Sequence, residues 1–148
     1  MAFEKLTYRA GTSNSYLYFG FYGDFDEIDL ITKELNLEPT RAKSKGSPIP
    51  RKSYWSFHID AKHQEDLRDE IDELVDLFMP KCDAIISIKK KVNAKTRLVF
   101  VLNVDINPKE STPCFTLSER TIEFLARTKS MVDFDLYKVD SIGVFDKL

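Results

Sequence analysis

The first clear periodicity in the chain is an alternation. Leu17, Phe19 and Phe21 interleave with Tyr16, Tyr18 and Gly20, the two-residue period of a pleated strand, and predict a strand from Ser15 to Gly23. Ile28, Ile31 and Leu35 share one stripe at helical spacing, predicting a helix to about Asn36 with Asp24 or Asp26 as its cap. From Leu37 to Lys52 no period survives. Three prolines, one glycine and five basic residues there predict a single long loop, and Pro48 and Pro50 exclude a central strand. Long ordered loops in small domains often carry function, which makes this one a candidate site.

Alternation resumes from Ser53 to Asp60, with Trp55, Phe57 and Ile59 on one face and Tyr54, Ser56 and His58 on the other. A helix is predicted over about Gln64 to Phe78 by the stripe Leu67, Ile71, Leu74, Val75 and Phe78, with Pro80 as its stop. Its remaining positions hold seven carboxylates, from Glu65 to Asp76, with Arg68 among them. The β-branched segment Cys82 to Val92 and the run Thr96 to Ile106 predict a hairpin turning at Asn93-Ala94-Lys95. Leu98 to Leu102 is apolar on both faces, which places that strand inside the sheet. Ser118 then caps a helix to about Lys129, with Ile122, Leu125 and Ala126 inward. A last strand, Val132 to Val139, sets Val132, Phe134 and Leu136 against Asp133, Asp135 and Tyr137.

The resulting order is β-α-β-α-β-β-α-β, read as one α+β domain over residues 1–148. Its last six elements have the ferredoxin-like order, preceded by an extra strand and helix. The expected architecture is a two-layer sandwich, a mostly antiparallel sheet with its helices on one face. The alternation then assigns Tyr16, Tyr18, Tyr54, His58, Asp133, Asp135 and Tyr137 to the other face. Such a tyrosine-rich surface is either open to a partner or covered by loops or a second copy in a homodimer.

Composition narrows the class. The 148 residues are 43% hydrophobic and 31% charged, and a chain of that length buries roughly 70% of its unfolded surface, so it needs no disulfide or metal to fold. Eleven Phe, six Tyr and one Trp exceed what a small core requires. The formal charge of −2 argues against a general nucleic-acid binder. No apolar run reaches signal-peptide or transmembrane length, and Cys82 and Cys114 stand apart from one another, so a cytoplasmic location, no membrane association and reduced thiols are expected.

Leu37-Glu38-Pro39-Thr40-Arg41, then Lys45-Gly46, Trp55 on the following strand, and Val132-Asp133-Phe134-Asp135-Leu136-Tyr137 form a recognisable series. In these motifs the chain resembles the bacterial family known as domain of unknown function 4279, from about Tyr16 to Tyr137. The chain has Ala42-Lys43-Ser44 where the family often has an aromatic or second basic residue, and Ser47 where it commonly has an acid. Members of the family are similar to small proteins encoded beside bacterial polymorphic toxins. The resemblance therefore implies immunity, or partner binding, and implies no catalytic residues.

Chemistry-bearing groups are sparse. His58 and His63 are the two histidines, neither in a metal motif, and no G-x-S-x-G or Gly-rich phosphate loop occurs, so no metal or cofactor is expected. Asp133 and Asp135 share a strand face and are expected to pair with Arg41 or Lys45 from the loop. Lys89-Lys90-Lys91, with Lys95 and Arg97, would form a basic hairpin end. Arg41, Lys45, Trp55, Asp135 and Tyr137 together form a candidate binding constellation for a small polar ligand or peptide, or else a structural network. Asp69, Glu73 and Asp76 on the acidic helix, with Tyr16 and Tyr18, form a candidate surface for a basic protein such as a toxin domain. The leading expectation is a non-enzymatic protein-binding domain of immunity type. A small-ligand sensor using the Arg41–Lys45 loop is the alternative, and an RNA-binding module a weaker one.

Overall fold

A strand with rings at both odd and even positions must place rings on both sides of the sheet it joins. In the computed structural model, which describes residues 14–46, 48–63 and 66–147, that strand (β1, Tyr16–Gly23) is the middle one of five. The sheet order is β2-β3-β1-β4-β5, with β2 Arg41–Lys43, β3 Ser53–Asp60, β4 Lys95–Asp105 and β5 Met131–Val139. Three pairings are antiparallel, and β4 runs parallel to β5. A parallel pair needs a crossover, and helix α4 (Glu119–Thr128) supplies it. The α+β class and the mostly antiparallel sheet are as expected.

The core gathers Leu17, Phe19 and Phe21 of β1 with Trp55 and Ile59 of β3 and Leu98, Phe100 and Leu102 of β4. Helices α1 (Ile28–Leu35), α2 (Arg68–Phe78), α3 (Cys82–Val92) and α4 all send side chains into this one cluster. The Phe19 ring lies 4.9 Å from that of Phe78 and 5.2 Å from that of Phe124. The predicted α2 stripe, Leu67, Ile71, Leu74, Val75 and Phe78, is buried throughout.

The structure corrects the segment after Pro80. Cys82–Val92 is a helix rather than a strand, so the predicted hairpin, and with it the β-α-β-β-α-β order, gives way to β-α-β-β-α-α-β-α-β. Cys82, Ile85, Ile88 and Val92 are buried at steps of three and four, a helical stripe that β-branched composition masked. Pro80 does not end the helical region. It lies early in a single 3₁₀ turn, Met79–Lys81, where a missing N–H costs little, and α3 continues from there. Asn93, in the left-handed region, closes α3 with its N–H on the Lys89 carbonyl.

Smaller differences have equally local causes. Neither Asp24 nor Asp26 caps α1; Glu27 holds the cap position without a capping side-chain hydrogen bond, its carboxylate accepting the Asp26 N–H, and Asp24 turns to Lys52 instead. The long loop contains β2, whose three exposed side chains offer no alternation to read. Ser118 caps α4 as expected, accepting the Thr121 N–H, but the inward residues are Thr121, Phe124, Leu125 and Thr128. Ile122 and Ala126 face outward because Phe124 takes the place beside Phe19 and Phe78. The predicted α2 start at Gln64 and Glu65 lies outside the described residues, as does Ser47. Glu70 leaves the acidic outer face: it is 2% exposed and accepts the Lys62 N–H at 3.0 Å. On β5, Phe134 and Leu136 do point to the core side by register, yet stay 50% and 66% exposed at the sheet edge. Among the described residues no helix is long and apolar enough to cross a membrane.

Candidate functional site

Because side chains alternate along every strand, the registers fix which residues share the face away from the core. Arg41 stands opposite Ser56, Ser56 opposite Gly20, and Gly20 opposite Arg97. One row across four strands therefore reads arginine, serine, glycine, arginine. On one side of it lies the row Lys43, Tyr54, Tyr22, Lys95, and on the other His58, Tyr18, Val99, Asp133. Small residues between rings leave a trough.

That trough is a cleft of about 460 Å³ lined by Tyr16, Tyr18, Tyr22, Arg41, Tyr54 and His58, among others. Gly20 forms its floor for a packing reason. A Cβ there would stand 2.6 Å from the Trp55 carbonyl oxygen and 3.0 Å from Ser56 Cβ, so the close approach of β3 excludes any side chain. Tyr16, His58 and Tyr18 stack on one another, with centroids 4.8 to 6.3 Å apart and planes within 25° of parallel. The Arg97 guanidinium lies 4.6 Å from the centre of the Tyr22 ring and donates to Asp133 Oδ2 at 3.0 Å.

The charged side chains that line the cleft are of one sign. Arg41, Lys52 and Arg97 line it, and among the described residues no carboxylate does. Lys52 is held by Asp24 at 2.7 Å and Arg97 by Asp133, whereas the Arg41 side chain has no carboxylate partner among the described residues. Burial, and secondarily the Arg41 charge, press the His58 pKa below its ordinary 6.5 against the weaker pull of Asp60. Burial also raises the Tyr18 phenol. At neutral pH both therefore carry no charge, and the cationic character comes from the basic side chains. Ser56 Oγ meets His58 Nε2 at 2.9 Å, and Thr40 Oγ1 accepts the His58 backbone N–H at 2.9 Å.

The predicted constellation divides. Arg41 on β2 and Asp135 on β5 occupy opposite edges of the sheet, four strand spacings or roughly 19 Å apart. The expected pairing of Asp133 and Asp135 with Arg41 or Lys45 is thus replaced by Arg97 with Asp133. Lys45 reaches Asp24 at 3.6 Å. Trp55 is buried in the core, its indole N–H donating to Thr32 Oγ1 at 2.9 Å, the structural role alternation assigns it. Asp135 and the exposed Tyr137 face the same way as the tyrosines, beside Val101 and Asn103. On α2, Asp69, Asp72 and Glu73 are exposed, while Asp76 receives Arg120. The expected basic hairpin end does not form. Lys89 instead donates to the Thr128 and Lys129 carbonyls at the end of α4, and Lys91 pairs with Glu34.

Sequence reasoning missed Gly20, Tyr22, Ser56, Lys52 and Arg97 as members of one site. Their parity was readable strand by strand, since Arg97 alternates with Leu98 in the same way as Gly20 with Phe19. The alignment of the row depends on strand order, which local pattern does not encode. The chain matches the model of the family described as Domain of unknown function (DUF4279) over residues 13–139, and it belongs to that family. No curated protein and no solved structure matches it.

Proposed function

We propose that this DUF4279 domain is a non-enzymatic binding protein whose site is the cleft on the tyrosine face, taking a small anionic ligand. The row Arg41–Ser56–Gly20–Arg97, flanked by rings and lined by no carboxylate among the described residues, carries the reading. A cation that has no carboxylate partner among the described residues, at the rim of a partly apolar trough, favours an anion, because a charge-assisted hydrogen bond gains strength as water is displaced. Binding without chemistry fits the Ser56–His58 contact as well. A nucleophilic serine needs a base oriented by a third group, and no described side chain hydrogen-bonds the other nitrogen of the His58 ring.

The test is a titration with small organic anions followed by NMR, comparing the wild-type chain with Arg41→Gln. A hydrogen bond to a charged group contributes roughly 1.5–3 kcal/mol, so the variant is expected to bind at least about tenfold more weakly. Equal affinity would remove Arg41 from the site.

A second reading, occlusion of a basic protein partner, draws on the exposed carboxylates Asp69, Asp72 and Glu73 of α2. Reversing the charge of Asp69 and Glu73 would weaken such a complex and leave the cleft's ligand affinity unchanged.

A further inference from the structure

We infer that the ligand is a flat aromatic anion, its ring laid over Gly20 and its charge on Arg41. This deepens the reading above and rests on it. Same-face side chains along a strand recur about every 6.8 Å, so β1 presents Tyr16, Tyr18, Gly20 and Tyr22 as four successive rungs. Three of those rungs are rings. Tyr16 and Tyr18, with His58 from β3, already form a set of near-parallel rings, and the set stops at Gly20.

The gap suits one ring. Tyr18 and Tyr22 are about 13.6 Å apart along the backbone, so a ring centred over Gly20 stands about 7 Å from each, at the outer end of aromatic pairing. On the Tyr22 side the distance is shortened by Arg97. It starts opposite Gly20 and lays its guanidinium 4.6 Å from the Tyr22 ring centre, so a guest ring meets a cationic plane there. Across the trough, Arg41 shares the row with Gly20 and lacks a carboxylate partner among the described residues. An inorganic anion would satisfy Arg41 and leave the ring gap unfilled. A neutral aromatic would fill the gap and leave Arg41 without a counter-charge. Only a ligand with both features uses the whole cleft.

The experiment uses the full chain and the NMR signals of Tyr18, Gly20 and His58. The probes are adenosine 5′-monophosphate and 4-hydroxybenzoate as aromatic anions, with inorganic phosphate, acetate and adenosine as partial ligands. At least one aromatic anion is expected to produce saturable shifts, at least about tenfold tighter than its matched partial ligands. Which of the two binds separates a phosphate from a carboxylate source. Tyr18→Leu, which keeps an apolar side chain without a ring, and Arg41→Gln are each expected to weaken it about tenfold, with amide spectra reporting that each variant is folded. If phosphate or acetate binds as tightly as the aromatic anions, or Tyr18→Leu changes nothing, the aromatic assignment is overturned while the anion site stands. If no probe of any class shifts these signals, both readings fall.

Discussion

The two faces of β1 carry the same kind of side chain to different ends. On one face Phe19 and Phe21 are buried, and Phe19 meets rings of α2 and α4 at tilted angles, as close packing in a core favours. On the other, Tyr16, Tyr18 and Tyr22 are half-buried, and the first two stack nearly parallel with His58. The core face is closed by four helices' side chains; the tyrosine face is left with a glycine step and two arginines. A hydroxyl at the ring tip marks the difference. It lets an aromatic side chain stand at a water boundary without losing its flat apolar body.

Substitutions on the two faces of this one strand should separate stability from binding. Phe19→Ala should have the largest effect, because it removes a ring from between two others: about 3–5 kcal/mol lost in urea unfolding. Gly20→Ala comes next. Its methyl would press on the Trp55 carbonyl, costing roughly 1–3 kcal/mol, and would raise the cleft floor so that ligand affinity falls too. Tyr18→Leu should cost less than about 1.5 kcal/mol in the same assay, since Tyr18 is only half-buried and a shorter apolar side chain still covers the sheet there. A Tyr18→Leu loss as large as that of Phe19→Ala would show that the tyrosine face is a second core.

The smallest effect is a pH dependence. His58 titrates below 6.5 in the folded chain, so between that pKa and 6.5 the unfolded chain binds more protons. Its contribution is fully present above about pH 6.5 and is lost as the pH falls toward the folded value. Unfolding free energy followed from pH 7 to pH 5 should therefore decline less steeply in His58→Gln than in the wild type. An unchanged slope would mean that the ring is not held neutral by its surroundings.

Much of this comparison was legible in the chain. The parity of β1 and β3 assigned Tyr16, Tyr18, Tyr54 and His58 to one face, and the Leu67–Phe78 stripe marked α2, because burial imposes its period directly on sequence. Cys82–Val92 was not legible, since Ile and Val occur in buried strands and buried helices alike and Pro80 looked like a stop. Nor was the site. Arg41 and Arg97 are 56 positions apart in sequence and meet one row only through the order β2-β3-β1-β4, a tertiary fact with no local trace. The same order sends Asp135 to the far edge, away from the arginine it was expected to hold.

The most direct test of the central claim is a map of amide shifts on adding adenosine 5′-monophosphate and, separately, 4-hydroxybenzoate. The account predicts saturable changes for at least one of them, centred on Gly20, Ser56 and His58, fading toward β5 and absent from Asp69 and Glu73 on α2. Changes centred on α2, or none with either compound, would contradict it.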